Sequence, residues 1–306
     1  MAQKIMIVVN PAAAGGKVKK IWPEKSLAFK KEFDDFDEVY TKKAGDAVKI
    51  AKKAVEENYD YIMSVGGDGT VNEIINGMLS AKTGFQKSKL IIYPLGTGSD
   101  LSRALSLPNS VEEFIALIRR KNIKSINVVE ASFLNHQQQR EKRYFLNIAD
   151  CGMGAEVAKK LNKSRKTIDG SLSYLLKIFQ TLFNYHNKQM KIEADNKLLY
   201  QGKLKTAIIA HVNYFGGGIK IAPEADLFND KLNLVLLKDF SKLGIILNLI
   251  KAYKGKHLSH SLVESQLVEK IKITAAEKIE LELDGESIGT TDAEFKISPK
   301  KISILI

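Results

Sequence analysis

The sequence predicts two domains: an N-terminal α/β domain with a Rossmann-like parallel sheet, then a C-terminal domain that is mainly an antiparallel β-sandwich. Three observations carry this. In the first half, short apolar runs alternate with segments whose apolar residues recur at helical spacing, the pattern of parallel strands covered by helices. Three of those runs end in Gly-rich turns. In the second half, strand-like runs follow one another closely, with tight-turn signals between them. Residues 1–128 are assigned to the first domain, with 298–306 returning to complete it, and 129–297 to the second. The active site is expected in the cleft between the two.

Lys4–Asn10 is an apolar run closed by Asn-Pro, a buried strand leading into a loop. A basic helix follows near Val18–Lys31, then a short strand at Glu38–Thr41. Ala47, Ile50, Ala51, Ala54 and Val55 mark a helix over Asp46–Glu57. Tyr61–Val65 is a strand ending in Gly66-Gly67-Asp68-Gly69, and Val71, Ile74, Ile75 and Met78 share one face of a helix over Val71–Leu79. Leu90–Leu95 is a strand ending in Gly96-Thr97-Gly98, followed by helices at Leu101–Leu105 and Val111–Lys121. The second half reads as strands at Ile126–Phe133, Tyr144–Ala149, Met190–Ala194, Lys197–Leu204, Thr206–Val212, Leu232–Leu237, Lys270–Thr274, Lys278–Leu283 and Glu294–Ile297. Asp195-Asn196 forms a tight turn between two of them. Helices over Ser171–Tyr185 and Lys242–Tyr253 interrupt this series, and Ile302–Ile306 is a last strand.

The charge balance is +12, so polyanions are natural partners: nucleotides, nucleic acid or an anionic bilayer surface. No helix-turn-helix, zinc-finger or RNA-binding signature accompanies the charge, which speaks against nucleic acid. The single cysteine, Cys151, excludes an intramolecular disulfide and favours a cytoplasmic setting. The longest apolar stretch, Leu243–Ile250, is broken by Gly244 and Asn248 and falls short of the roughly 20 residues that span a bilayer. Membrane contact is therefore expected to be peripheral, and a homodimer is left open as the assembly.

The three Gly-rich turns are Asn10-Pro11-Ala12-Ala13-Ala14-Gly15-Gly16-Lys17, Gly66-Gly67-Asp68-Gly69-Thr70 and Gly96-Thr97-Gly98. At the carboxyl ends of parallel strands they share one edge, where α/β proteins bind ligands. Backbone N–H groups there approach phosphate oxygens, and the helix N-terminus that follows adds positive potential. Lys17 adds a point charge. The spacing matches neither G-x-x-x-x-G-K-[ST] nor G-x-G-x-x-G. Asp68 would repel phosphate unless Mg²⁺ lies between them; its plain structural reading is an N-cap of the following helix.

Ser64-Val65-Gly66-Gly67-Asp68-Gly69-Thr70-Val71-Asn72-Glu73 resembles the signature of the diacylglycerol kinase catalytic-domain family. So do Pro94-Leu95-Gly96-Thr97-Gly98 with Asp100-Leu101 and Arg103, and the opening Asn10-Pro11 with Gly16-Lys17. The resemblance covers nearly the whole chain and points to the soluble bacterial lipid kinases. It implies ATP and Mg²⁺ as cofactors and a lipid hydroxyl as acceptor. It implies ATP binding by Asn10, Pro11, Ala12, Ala13, Ala14, Thr41, Gly66, Gly67, Asp68, Gly69, Thr70, Val71, Asn72, Glu73, Gly96, Thr97 and Gly98. Leu283-Asp284-Gly285-Glu286 matches the family's L-D-G-E, so Asp284 or Glu286 is the implied base, with Lys17 and Lys166 facing the phosphates. Read without the resemblance, Asp284-Gly285 is an ordinary hairpin turn.

Pro223-Glu224-Ala225 with Asp230 and Leu232 resembles the family segment that holds a structural Mg²⁺, which implies Leu227, Asp230 and Leu232 as its ligands. Lys231 stands where the family has glycine, a cation beside the metal. Ser99 replaces an Asn and is expected to cap the next helix; Asn127 replaces an Asp. The alternatives are a kinase of a soluble acceptor such as NAD, and a nucleotide-binding regulatory protein without catalysis. His211, on an apolar strand, reads as a packed core histidine, and Cys151 as a packed small residue. His136 falls in a polar hairpin loop. The Ser171–Tyr185 helix reads as core, or as part of a lipid tunnel or bilayer contact.

Overall fold

The structure is a computed structural model, and it describes residues 4–33, 35–96, 98–164, 181 and 184–306. The chain divides into two compact units, Met1–Val128 with Pro299–Ile306, and Val129–Ser298.

In the first unit β1 (Ile5–Val9), β2 (Phe36–Tyr40), β3 (Tyr61–Gly66) and β4 (Lys89–Pro94) pair in the order β2-β1-β3-β4, all parallel. The last residues of the long C-terminal strand β15 (Glu286–Leu305) add to β4, also in parallel, through Ser303 and Ile304. Strands β1 and β3 are buried along their whole length, which is why they read as largely apolar runs. The helices are α1 (Lys17–Glu32), α2 (Asp46–Glu56), α3 (Asp68–Ser80), α4 (Asp100–Ala104) and α5 (Val111–Arg120). Tyr93 of β4 packs edge-on against Trp22 and Phe29 of α1 and Phe114 of α5, with ring centroids 5.5, 5.7 and 4.7 Å away, so the buried rings lock two helices onto the sheet.

Helix α3 starts at Asp68, three residues before its apolar periodicity does. Gly67 is extended, at φ −102° and ψ −176°, and the first turn that follows is polar, so no apolar stripe marks it. Asp68 is therefore the first residue of the helix and not its cap.

The second unit contains an antiparallel path of β12 (Val263–Val268), β11 (Leu232–Leu237), β10 (Thr206–Ala210), β7 (Ile148–Gly152), β14 (Glu280–Leu283) and the start of β15. Strand β13 (Lys270–Thr274) pairs with β15 and with β8 (Lys188–Ala194), which pairs with β9 (Lys197–Leu204). Strand β5 (Ile123–Asn135) forms a hairpin with β6 (Arg140–Phe145). Together these form an antiparallel β-sandwich, its interior filled by side chains such as Phe133, Phe145, Ile192, Leu234, Leu281 and Phe295. Asp195 and Asn196 both have positive φ, 49° and 64°, the backbone of a two-residue hairpin turn.

Three differences from the sequence reading have physical causes. The expected single strand Tyr144–Ala149 is two, β6 and β7, because the N–H groups of Leu146, Asn147 and Ile148 are all taken by the Asp284 carboxylate. Helix α6 (Met153–Ser164) begins with small residues that show little periodicity, and the partly exposed β12 carries few apolar residues, so neither stood out. Of the expected helix Ser171–Tyr185, most lies outside the described residues, as do Lys166 and Thr97. Helix α7 (Lys242–Tyr253) forms as expected, capped by Ser241, whose hydroxyl accepts from the Gly244 N–H at 3.1 Å.

Candidate active site

In the first unit the strand order reverses between β1 and β3. The chain leaves β1 for β2 on one side and then crosses to β3 on the other. Ligands in open α/β sheets bind at the carboxyl ends of the two strands that flank such a reversal. The Asn10 loop and the Gly66–Thr70 turn occupy those two ends. They are tied together: the Asn10 N–H donates to the Val65 carbonyl at 2.9 Å, and the Asn10 Nδ2 donates to the Thr70 Oγ1 at 2.9 Å. The third turn joins through the Leu95 N–H, which donates to the Gly66 carbonyl at 2.9 Å. A Cβ on Gly96 would stand 2.5 Å from the Gly67 Cα, so only glycine lets these two turns touch.

The loop after β1 winds left-handed, with φ of 51°, 65° and 86° at Ala14, Gly15 and Gly16, and delivers the exposed Lys17 as the first residue of α1. The Asn10 Oδ1 accepts from the Ala12 N–H at 3.1 Å. Pro11, Ala12 and Ala13 complete this loop, and Thr41 follows β2, its N–H donating to the Val9 carbonyl at 2.9 Å. So the first unit gathers Asn10, the Ala12–Gly16 loop, Gly66, Gly67, Asp68, Gly69, Thr70 and Gly96. Three side chains of the second motif are engaged within the fold. Val71 is packed in the core. The Glu73 carboxylate accepts from Gly45 at 2.9 Å and Ala47 at 3.1 Å, capping the start of α2. Asn72 is bonded to Asn76 one turn on.

The Asp68 Oδ2 accepts from the Asp100 N–H at 3.0 Å. Asp100 is buried and pairs with Arg103 at 2.5 Å. The position a Cβ would take on Gly98 lies 3.9 Å from the Asp68 Oδ2 and 4.0 Å from the Asp100 Oδ2, so two carboxylates flank one small space. That donor chemistry suits a hard divalent cation. Among the described residues no three His, Cys, Asp or Glu side chains close into a metal cage. A cation between these two acids would therefore draw its remaining ligands from water and phosphate, which is how Mg²⁺ is commonly held. In the sequence Asp100 is one residue of the third motif; folding places it beside Asp68.

In the second unit Asp284 and Gly285 form the two-residue turn between β14 and β15, with φ of 48° and 85°. Asp284 accepts from the N–H groups of Leu146, Asn147 and Ile148 at 3.2, 2.9 and 3.1 Å. Glu286 is half-buried, with an Arg143 guanidinium nitrogen 4.0 Å away. Beneath the turn, Glu282 lies directly across from Asp150 in the β14–β7 register, and both are buried. The Glu282 Oε2 accepts from the Gly285 N–H at 2.5 Å, fastening the turn. Burial pushes the Glu282 carboxyl well up, and the neighbouring Asp150 adds to it. Burial lifts Asp150 to about 6, against the Thr206 hydroxyl and the Ala155 and Gly154 N–H groups that favour its charged form. Glu280 goes the other way: burial alone would raise it, but Lys159 at 2.6 Å, Ser287 at 2.5 Å and His136 at 2.8 Å hold it below the usual range. His211 is fully buried with its Nδ1 3.2 Å from the Leu146 carbonyl, and burial lowers it to about 4, the packed core histidine that the sequence suggests.

Residues 4–131 match the model of the diacylglycerol kinase catalytic domain, and residues 147–306 match that of the YegS C-terminal NAD kinase beta sandwich-like domain. The chain belongs to the diacylglycerol kinase catalytic-domain family. Its relatives include the diacylglycerol kinases of Staphylococcus carnosus (strain TM300) and Staphylococcus aureus (strain bovine RF122 / ET3-1). Both are 28% identical over 96% of this chain, and the matches cover 92% and 90% of those proteins. A solved structure of a putative diacylglycerol kinase from Bacillus anthracis str. Sterne shares the fold, with a TM-score of 0.78 at 24% identity over 99% of this chain and 95% of that one.

The departures from the family pattern now have places. Ser99 precedes α4 in a left-handed conformation, φ 47°, and makes no side-chain cap; its hydroxyl donates to the Gly96 carbonyl at 3.5 Å, so the expected cap is not formed. Asn127 is buried. Leu227 and Leu232 are buried, while Asp230 and Lys231 are exposed between them. Among the described residues no helix is long and apolar enough to cross a membrane.

Proposed function

We propose that this member of the family is an ATP-dependent kinase that phosphorylates the hydroxyl of a lipid, diacylglycerol or a related acceptor. The observation that carries the proposal is the joining of three strand-end turns around Asp68 at the sheet's reversal point. Backbone N–H groups of the Ala12–Gly16 loop and of the Gly66–Thr70 turn would hold the phosphates, with Lys17 neutralising charge there and Lys166, outside the described residues, as a further cation. Asp68, with Asp100, would hold Mg²⁺, which when bound shields the phosphate charges and aligns them for in-line displacement. The 227–232 loop, through Asp230 and the carbonyls of Leu227 and Leu232, is proposed as a second, structural Mg²⁺ site.

Glu286 is proposed as the base that takes the proton from the acceptor hydroxyl. Asp284 is the weaker candidate, because three backbone N–H groups already occupy its carboxylate. Glu286 is half-buried at the start of β15, with an Arg143 guanidinium nitrogen 4.0 Å away. The kinase is proposed to work at the cytoplasmic face of the membrane.

The test is ³²P transfer from γ-labelled ATP with Mg²⁺ to dispersed diacylglycerol, monoacylglycerol, phosphatidylglycerol, sphingosine, ceramide and undecaprenol. NAD serves as the soluble acceptor, since the C-terminal model is named for its likeness to NAD kinases. Label in a lipid supports the proposal; label in NAD alone replaces it. Binding of ATP with no product in any arm favours a regulatory protein. Undiminished turnover by Asp68→Ala would sink the Mg²⁺ assignment.

A further inference from the structure

Helix α7 has two faces. Ile245 and Ala252, seven residues apart, are buried, and Ile245 packs with Phe240 among Met153, Leu237, Leu262 and Val263. Leu243 and Ile250, also seven apart, lie on the opposite side and are 66% and 71% exposed; Tyr253, at the helix end, is 53% exposed. Single exposed apolar residues are ordinary, but large aliphatic ones in register over two turns of a helix are not.

The charge around this stripe is one-sided. From Phe240 to Val263 the sequence holds four lysines and neither Asp nor Glu. Lys251, Lys254 and Lys256 are exposed at and beyond the end of the helix, and among the described residues none of them forms an ion pair with a carboxylate. The nearest acids in sequence are already engaged. Asp239 accepts from Asn187, and Glu264 pairs with Lys238 at 2.9 Å.

We propose that the outward face of α7, with Leu243, Ile250 and Tyr253 inserted and Lys251, Lys254 and Lys256 at the headgroups, is the surface by which this protein docks on an anionic lipid bilayer. A second copy of the chain is a poor occupant. A two-fold interface places a patch against itself, which would set these lysines against their own copies. An anionic headgroup layer complements them, and the aliphatic side chains reach the acyl boundary beneath, with tyrosine at the interface between. The inference deepens the lipid-kinase reading, because an enzyme whose acceptor lies in a bilayer must meet that bilayer. Its first test needs neither ATP nor acceptor.

The experiment is co-sedimentation of the full chain with vesicles of phosphatidylcholine alone and of phosphatidylcholine with phosphatidylglycerol. The wild type should bind the anionic vesicles and lose affinity as salt rises. Neutralising Lys251 or Lys254 to Gln should weaken binding about fivefold each, and the pair Leu243→Asp and Ile250→Asp should abolish it. These side chains are exposed, so the variants should melt like the wild type. Equal binding by wild type and variants overturns the proposal, and so does a wild-type dimer in light scattering that the Leu243→Asp, Ile250→Asp variant splits. Phosphorylation of a short-chain, water-soluble acceptor should survive these substitutions while phosphorylation of the same headgroup in vesicles falls. Vesicle binding with no kinase activity in any arm would uphold the docking surface and remove the kinase reading.

Discussion

Replacing Asp150 by Asn should stabilise the second unit at neutral pH and change little at pH 4. Asp150 is fully buried, and burial lifts its pKa from an ordinary 3.8 to about 6. An acid whose pKa is raised on folding is held back in its charged form. The fold therefore carries no penalty below the unfolded value, and the full penalty above the folded one. Each unit is worth about 1.4 kcal/mol, so this carboxylate costs about 3 kcal/mol at pH 7 and above. Asn keeps an oxygen to accept from the Thr206 hydroxyl and the Ala155 N–H, at 2.6 and 3.1 Å in the wild type. It also removes the neighbouring charge that helps push Glu282 up.

The assay is thermal unfolding of wild type and Asp150→Asn between pH 4 and pH 8, read as the difference between the two. The raw wild-type curve would mislead. His211, lowered by burial to about 4, makes the fold lose stability as pH falls from its unfolded value of 6.5 toward 4, opposite in sign to Asp150 in an overlapping window. In the difference His211 cancels. The variant's advantage should grow across pH 4–6 and level off above it, reaching about 6–12 °C at about 2–4 °C per kcal/mol. A difference that is flat across this range, or that favours the wild type more as pH rises, would refute the argument that burial keeps Asp150 protonated at mild acidity.

Three further outcomes test other parts of the structure. Glu286→Gln should abolish phosphoryl transfer with an unchanged melting temperature, whereas Asp284→Ala should lower the melting temperature as well, since it leaves three backbone N–H groups without their acceptor; the reverse pattern would exchange their roles. Gly77→Ala should cost about 1–3 kcal/mol, measured by denaturant titration, because its Cβ would lie 2.3 Å from the Val48 carbonyl oxygen where α2 and α3 cross. Gly96→Ala should weaken ATP binding in calorimetry more than it lowers the melting temperature, since it prises the third turn from Gly67 at the site alone; equal loss of both would make this contact purely structural.

Much of this architecture is legible in the sequence because burial writes it there. Strands buried on both faces, such as β1, β3 and β10, are largely apolar runs, and Gly-rich turns mark the end of β3 and of β4. What is not legible depends on contacts distant in sequence. The division between β6 and β7 is made by a side chain 136 to 138 residues further on. The partnership of Asp68 with Asp100 spans 32 residues and shows in neither motif alone. Glu73 matches the family signature, yet its carboxylate serves a neighbouring helix, so a motif match locates a residue without assigning its side chain a task.

The segment from Glu280 to Glu286 shows why environment separates roles that composition cannot. Four carboxylates alternate along seven residues, and read as a string they are interchangeable. Glu280 is neutralised by Lys159, and its pKa falls. Glu282 is sealed beside Asp150, its pKa rises, and it fastens the turn through the Gly285 N–H. Asp284 is spent on three backbone donors. Glu286 is half-buried, with an Arg143 guanidinium nitrogen 4.0 Å away. A general base must reach the substrate and must be able to accept a proton. Glu280 and Glu282 are buried, and the Asp284 carboxylate is held by the backbone that it fastens. On the proposed reading the turn does two jobs with one set of side chains: Glu282 and Asp284 fasten it, and Glu286 is presented on it as the base.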